Sequence, residues 1–265
     1  MGLDHGEVLI GPGTGDNMAA ALGLGLQPGD VVISIGTSGT VYAVAERPTA
    51  DPTGAVAGFA DATGRFLPLV CTLNATKVTD AFARLLGMGP DEFAGAALAA
   101  PPGADGVVLV PYLDGERTPN RPDATGVLAG LRSDVSAASV ARAAFEGVAC
   151  GLLDGVDALA TAGVPVDGGR TFLIGGGARS PAYRAVIAGL LQRPVVVPDA
   201  WETVATGACV QAAAVLSGKG PDAVAVAWGL DGGQTVDPGI SAGDAAGVRA
   251  AYADATGDPP EAAER

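Results

Sequence analysis

The first feature of this sequence that could perform chemistry is a carboxylate beside a glycine-rich turn. Asp16 follows Gly13 and Gly15 and opens an alanine-rich stretch. Such a carboxylate can accept a proton from a hydroxyl that attacks a phosphate. It can equally be a helix cap, which would stabilise the helix by about 1 kcal/mol. The glycine spacing leaves both interpretations open.

A second segment, over residues 34–40, alternates glycines with hydroxyl residues between two predicted strands and has the sequence SIGTSGT. An ordinary hairpin turn needs only one glycine, whereas Gly36 and Gly39 here flank Thr37 and Ser38. Small residues allow a phosphate to approach the backbone, and hydroxyls add donors. The segment predicts either a plain hairpin turn or a phosphate-binding loop.

A third segment has three consecutive glycines, at positions 175–177, between a predicted strand and a helix that begins at Ser180-Pro181. Each glycine costs conformational entropy, so the run needs a physical reason. Close approach of a nucleotide to a helix start would supply one. The common nucleotide motifs do not, because the sequence has no GxxxxGK[ST] and these glycines are contiguous and late in the chain.

Four other polar residues are weaker candidates. His5 is the only histidine and has no partner in view, so we interpret it as incidental. Asn74 is predicted to cap the helix that follows it. Glu116 and the adjacent Arg117 have two open interpretations, an internal ion pair and a ligand pair.

Hydrophobic patterning predicts alternating strands and helices around these segments. The apolar run over 31–35 and the strand over 40–45 form a hairpin around the second segment. Further strands are predicted over 66–73, 107–110, 171–174 and 195–197, and helices over 16–26, 74–86, 136–162, 180–191 and 203–217. Beyond residue 230 the apolar density falls, which predicts a weakly structured tail of loop, one weak helix and a frayed end.

Composition limits the classes of function. A chain of 265 residues with 48% hydrophobic content can bury a full core. A formal net charge of −14 argues against a nucleic acid partner, because phosphates reward clustered Lys and Arg. The sequence shows no basic leader and no apolar run of membrane-spanning length. Three scattered cysteines are interpreted as small buried residues in a reducing compartment, so a cytoplasmic location is expected.

The order of these motifs resembles the carboxy-terminal half of FGGY-family carbohydrate kinases. Between about residues 10 and 217 the resemblance lies in GTGDNMAAALG, ISIGTSGTVYAV, PYLDGERTP, GVLAGL, AAFEGVACGLLDGVDAL and FLIGGGARSPAYRAVIAGLL with ETVATGACVQAA. PYLDGERTP and GGGARSPAYR are more similar to the xylulokinases of this family than to its glycerol kinases. The resemblance is specific because all of these segments occur in the same order as in the family, whereas a match to one segment alone would not be specific.

The resemblance implies an α/β fold, an actin-like ATPase domain of the ribonuclease H-like type with a mixed sheet flanked by helices. It implies an ATP-dependent sugar kinase that uses Mg²⁺ and phosphorylates the terminal hydroxyl of D-xylulose. Glycerol, ribulose and gluconate stay open as alternative acceptors. A non-enzymatic actin-like nucleotide-binding module is a further alternative, although the sequence shows no helix-turn-helix or basic patch for reading DNA.

The resemblance also assigns roles to residues. Asp16 matches the catalytic base of the family, and no residue is assigned as a metal ligand. The nucleotide-binding positions that it implies are Gly36, Thr37, Ser38, Asn74, Gly176, Gly177, Ala178 and Ser180. Of these, residues 36–38 match the second phosphate-binding loop, residues 176–180 match the adenosine segment, and Asn74 falls in a region that lines the nucleotide.

Complete family members have a further amino-terminal domain with the first phosphate loop and most of the sugar pocket. Residues 1–29 are therefore expected to be a remnant of the sugar-binding domain that carries the base. Residues 30–265 are expected to form the carboxy-terminal actin-like nucleotide-binding domain, with 230–265 as its weakly structured tail. The chain alone is expected to be inactive, with a complementing amino-terminal half or a second copy as partner.

Overall fold

A computed structural model describes residues 9–200 and 202–257. Its helices are α1 (Asp16–Gly23), α2 (Thr76–Leu85), α3 (Pro90–Ala99), α4 (Ala137–Thr161), α5 (Pro181–Leu191), α6 (Thr203–Ser217), α7 (Pro221–Trp228) and α8 (Ala242–Thr256). Its strands are β1 (Val31–Ile35), β2 (Gly39–Ala43), β3 (Leu69–Thr72), β4 (Val108–Val110), β5 (Val127–Ala129), β6 (Thr171–Ile174), β7 (Val195–Pro198) and β8 (Gly233–Val236). Short 3₁₀ turns cover Ala104–Gly106 and Gly176–Arg179.

Six strands form one mixed sheet in the order β3-β2-β1-β6-β7-β8. The β1–β2 hairpin and β3 are antiparallel, β1, β6 and β7 are parallel, and β8 is antiparallel to β7. Strands β1 and β6 are short and almost wholly apolar, as expected for strands covered on both faces. The predicted mixed sheet flanked by helices is confirmed.

Alternate residues of β1 enter two different cores, because successive side chains of a strand point to opposite faces. Val31, Ile33 and Ile35 belong to the larger core with α4, which also packs against α2, α3, α5 and α8. Val32 belongs to the other core, where it lies with Leu24. Among the described residues, no helix is both long enough and apolar enough to cross a membrane.

Helix α1 is held against α6 by two glycines. A Cβ at Gly23 would lie 2.0 Å from the carbonyl oxygen of Thr203, and one at Gly207 would lie 1.9 Å from that of Ala19. Leu24 and Leu26, which follow α1, are buried in the same core as the sheet. The boundary predicted at residue 29 stays a prediction, but α1 is packed on the domain that follows it.

This close contact gives a stability prediction. Gly207→Ala is expected to destabilise the chain by about 1–3 kcal/mol, because the added methyl group overlaps the α1 backbone. Gly95→Ala in α3, where a Cβ meets no atom within 4 Å, is the matched control and should stabilise by roughly 0.5–1 kcal/mol. Urea unfolding of both variants checks this. Equal stabilisation by both substitutions would contradict the α1–α6 contact.

The predicted weak tail is wrong over residues 233–256. Strand β8 extends the sheet beside β7, and α8 runs for 15 residues. The hydroxyl of Ser241 accepts a hydrogen bond from the N–H of Asp244 and so caps α8. Val248 and Tyr252, four residues apart, are buried in the main core. These two large apolar contacts are hidden in the sequence by the alanines and glycines around them.

Candidate active site

The turn between β1 and β2 presents donors to solvent. The N–H of Gly36 donates to the carbonyl oxygen of Ser38 at 2.9 Å and closes the turn. Thr37 and Ser38 are exposed, and within the described residues their N–H groups and hydroxyls donate to no protein acceptor. Backbone and hydroxyl donors at the end of a hairpin can bind an anion. The second segment is therefore a hairpin turn with unused donors.

The segment after β3 fixes this turn from behind. The N–H of Ala75 donates to the carbonyl oxygen of Thr37 at 3.2 Å, and that of Thr76 donates to Gly36 at 2.9 Å. The N-cap of α2 is Ala75, without a side-chain cap, so the prediction that Asn74 caps this helix is wrong. Asn74 is buried instead, and its amide donates to the carbonyl oxygen of Gly115 and to Glu116.

Glu116 is a buried acceptor, and its carboxylate does not pair with the guanidinium of Arg117. Its carboxylate receives hydrogen bonds from four donors, among them the backbone N–H of Arg117 at 2.7 Å. The side chains of Glu116 and Arg117 form no ion pair in the described part of the chain, so that interpretation is wrong. The exposed Arg117 lines an open cavity instead.

Asp16 lines the same cavity, which has a volume of about 530 Å³ and is also lined by Thr14, Asn17 and Cys71. Asp16 is the first residue of α1, and the N-cap position belongs to Gly15. One carboxylate oxygen of Asp16 accepts from the N–H of Asn17 at 2.8 Å. Burial raises the pKa of the Cys71 thiol, and the positive charge of Arg117 partly opposes this rise.

Two of the three consecutive glycines are required by packing. Gly175 has a φ of +84°, and a Cβ there would lie 2.7 Å from the carbonyl oxygen of Ile35. A Cβ at Gly177 would lie 2.4 Å from the side chain of Ile35. At Gly176 a Cβ would meet no atom within 4 Å. The glycine run therefore allows the end of β6 to pack against the end of β1, and it leaves Gly176 facing an open space.

The open space beside Gly176 is a cavity of about 240 Å³. Its walls come from α2, α3, α4, α5 and the glycine segment: Thr76, Thr79, Asp80, Phe93, Phe145, Gly176, Gly177, Ser180 and Tyr183. Thr76 joins this cavity to the hairpin turn, since its N–H bonds to Gly36. The hydroxyl of Ser180 is buried and has no hydrogen-bond partner in the described structure. Cavity and turn are thus adjacent, with Thr76 lining the one and bonded to the other.

The comparison that decides the family is a domain match. Residues 31–216 match the domain family described as "FGGY family of carbohydrate kinases, C-terminal domain". This chain belongs to the FGGY family of carbohydrate kinases. The matched residues contain the hairpin turn, Glu116, the glycine run and the whole of the cavity wall, whereas Asp16 precedes them.

Curated relatives and solved structures agree with the family. The chain is 49% identical over 229 residues to a xylulose kinase of Streptomyces coelicolor, covering 86% of this chain and 46% of that protein. The match to a xylulose kinase of Streptomyces rubiginosus is 48% over 233 residues, with the same two shares. The chain therefore spans about half the length of the curated relatives that it matches.

A crystal structure of xylulose kinase from Bifidobacterium adolescentis superposes with a TM-score of 0.78 at 44% identity, covering 93% of this chain and 47% of that one. Glycerol kinase from Plasmodium falciparum, solved with ADP, gives the same TM-score at 16% identity and shows the fold alone. With the observed sheet order, these likenesses confirm the actin-like, ribonuclease H-like fold that the sequence predicted for this FGGY chain.

The structure brings together some of the implied site residues of this FGGY chain and separates others. Gly176, Gly177 and Ser180 line the cavity, and Gly36, Thr37 and Ser38 form the turn. Ala178 is fully buried in the core and does not line the cavity, and neither does Asn74. Ser180 occupies the predicted N-cap position of α5, but its hydroxyl makes no cap bond. His5 lies outside the described residues.

The sequence patterns do not identify the residues of the cavity wall that lie on helices. Thr79, Asp80 and Tyr183 line the cavity, and the hydroxyls of Thr79 and Tyr183 lie 3.1 Å apart. No motif marks these residues, since each lies within an ordinary amphipathic helix. The interpretation of the cysteines is confirmed for the buried Cys150 but wrong for Cys209, which is exposed, while Cys71 is half-buried.

Proposed function

We propose that this chain is the nucleotide-binding half of an ATP-dependent xylulose kinase, which transfers the γ-phosphoryl group of ATP to the terminal hydroxyl of D-xylulose. The observation that supports this most is that the hairpin turn adjoins the 240 Å³ cavity beside Gly176, since Thr76 lines the cavity and donates its N–H to Gly36. The cavity suits an adenosine, and the turn at its edge suits phosphates. Relatives at 48–49% identity are named as xylulose kinases.

In this proposal each part of the site has a separate task. The cavity wall orients adenosine, with the unpartnered Ser180 hydroxyl and the exposed Asp80 carboxylate as polar contacts. The N–H groups and hydroxyls of Thr37 and Ser38 hold the phosphates. Asp16 accepts the proton of the attacking hydroxyl as general base. The exposed, helix-starting position of Asp16 leaves its carboxylate accessible to a substrate.

Mg²⁺ would be held in this site by the phosphates of ATP. It prefers oxygen ligands, keeps several waters and usually meets only one or two protein carboxylates. Residues 9–200 and 202–257 contain no cluster of three or more His, Cys, Asp or Glu side chains that could hold a metal ion. When bound, the ion neutralises charge on the phosphates.

Nucleotide binding by this chain tests the proposal. Titration with ATP–Mg²⁺ in a calorimeter should give a saturable heat, and Gly176→Trp should remove it, because the indole fills the cavity from an open position. Gly220→Trp, at another glycine where a Cβ meets no atom within 4 Å, is the matched control and should bind like the wild type. Equal heats for wild type and Gly176→Trp would show that the nucleotide does not bind in this cavity.

The acceptor sugar is decided by a second experiment. Relatives named gluconokinase also match, at 32% identity for the protein of Bacillus licheniformis. We expect D-xylulose to give the highest kcat/KM in a panel with glycerol, ribulose and gluconate. The assay is coupled ADP release by this chain joined to the amino-terminal half of the Streptomyces coelicolor relative. A preference for gluconate would contradict the proposed xylulose specificity and indicate a gluconate kinase of the same family.

A further inference from the structure

We infer that Glu116 is the positioning residue of the phosphate-binding turn, although it lies outside the turn and touches no nucleotide in the proposed site. The inference rests on the proposed function and adds to it a residue on which phosphate binding depends. Contacts link Glu116 to the segment over residues 72–74, and residues 75–76 to the turn over residues 36–38.

The Glu116 carboxylate is 2% exposed, and both of its oxygens are fully used. One oxygen, Oε1, accepts from the N–H groups of Leu73 at 2.6 Å and Arg117 at 2.7 Å. The other, Oε2, accepts from the hydroxyl of Thr72 at 2.7 Å and the amide of Asn74 at 2.8 Å. Hydrogen bonds to an ionised acceptor are about twice as strong as neutral ones. Three consecutive residues, 72–74, are thus fixed by one side chain.

The residues that follow immediately hold the turn. Ala75 and Thr76 donate their N–H groups to the carbonyl oxygens of Thr37 and Gly36. These two bonds orient the peptide groups of the turn and leave the donors of Thr37 and Ser38 facing solvent. A displacement of residues 72–74 would therefore be transmitted to the turn within one or two residues.

Glu116 can act as an anchor because its own loop is fixed. It forms a reciprocal pair of backbone hydrogen bonds with Arg121, each 2.9 Å long. The preceding Gly115 donates its N–H to Ala124 at 3.0 Å and accepts the amide of Asn74 at 2.7 Å. The loop is therefore held at both sides of the carboxylate, and the carboxylate in turn holds the segment after β3.

An amide cannot replace this carboxylate. Glutamine would turn an NH₂ group toward the NH₂ group of Asn74 or toward two backbone N–H groups. Rotation of the Asn74 amide would not relieve the conflict, because it would direct the Asn74 oxygen at the carbonyl oxygen of Gly115. Glu116→Gln thus keeps the shape of the side chain and breaks its donor pattern.

The test compares ADP with adenosine, because only ADP uses the turn. In calorimetric titrations of this chain, Glu116→Gln should weaken ADP binding by about tenfold or more, since a buried donor is left facing a donor. Adenosine binding should stay within roughly twofold of wild type, because a twofold change is only about 0.4 kcal/mol. Glu46→Gln, at an exposed position, removes the same charge and should change neither affinity.

A second pair of variants keeps the test decisive if Glu116→Gln does not fold. Thr72→Val removes one donor to the carboxylate and should also weaken ADP binding while leaving adenosine binding unchanged. Thr72→Ser keeps the hydroxyl and should bind ADP like the wild type. ADP binding that is unchanged in Glu116→Gln or Thr72→Val would overturn the inference and leave the proposed function intact. Equal loss of ADP and adenosine would assign Glu116 to general stability and overturn it too. A wild-type chain that binds neither compound would overturn the proposed function, and the inference with it.

Discussion

Asp16→Asn is expected to lower the turnover of the assembled kinase by about 10²–10⁴-fold, the usual contribution of a general base. Affinity for ATP should be nearly unchanged, because the proposed adenosine and phosphate contacts come from other residues. The assembled kinase is this chain joined to the amino-terminal half of the Streptomyces coelicolor relative. Steady-state ADP release with D-xylulose gives the turnover, and calorimetry gives the affinity.

The choice of asparagine separates the base from a helix-capping role. Asparagine caps helices about as well as aspartate, so a residue that only stabilised α1 would tolerate the substitution. The structure already assigns the N-cap position to Gly15. Asp134→Asn, at an exposed position, is the matched control and should keep full turnover. Unchanged turnover in Asp16→Asn would show that another group accepts the proton.

The second large effect is the difference between the chain alone and the assembled kinase. The chain alone is expected to release ADP from ATP and D-xylulose only at background rate, and joining the other half should raise the rate by orders of magnitude. Alignment of acceptor and phosphoryl group supplies much of the rate enhancement, with effective molarities of about 10⁵–10⁸ M in well-oriented systems. We expect most of the acceptor contacts to come from the other half, because in the described residues the cavity beside Asp16 is open to solvent.

The control for this comparison is the assembled kinase with Asp16→Asn, which should fall back toward the rate of the chain alone. The two halves can also be mixed as separate proteins, and a rate that rises with the concentration of the added half would support complementation. Robust sugar-dependent turnover by the 265-residue chain alone would contradict the two-half account.

Local patterns were sufficient to predict the parts of the site that lie at chain reversals. The hairpin around Gly36 follows from two apolar strands separated by a small-residue turn, and both strands were found within a few residues of their bounds. The glycine run before α5 was correctly placed between a strand and a helix. The sequence does not predict the packing requirement behind this run, because Gly175 and Gly177 are required by contact with the distant Ile35.

The remaining features depend on contacts between distant residues, which no local pattern encodes. Asn74 has a side chain that could cap a helix, but its amide donates a hydrogen bond to Glu116, 42 residues away. Asp80 and Tyr183 come together only when α2 and α5 pack beside the glycine segment. Helix α8 was underestimated because Val248 and Tyr252 are isolated among small residues, although both are buried by packing against the main core.

The most direct test of the proposed nucleotide site is a crystal structure of this chain with ADP and Mg²⁺. We expect adenosine in the cavity between Gly176 and Tyr183, with the β-phosphate within hydrogen-bond distance of the Thr37 and Ser38 donors. ADP bound elsewhere, for example in the separate cavity of about 240 Å³ lined by Glu146 and Tyr252, would contradict it.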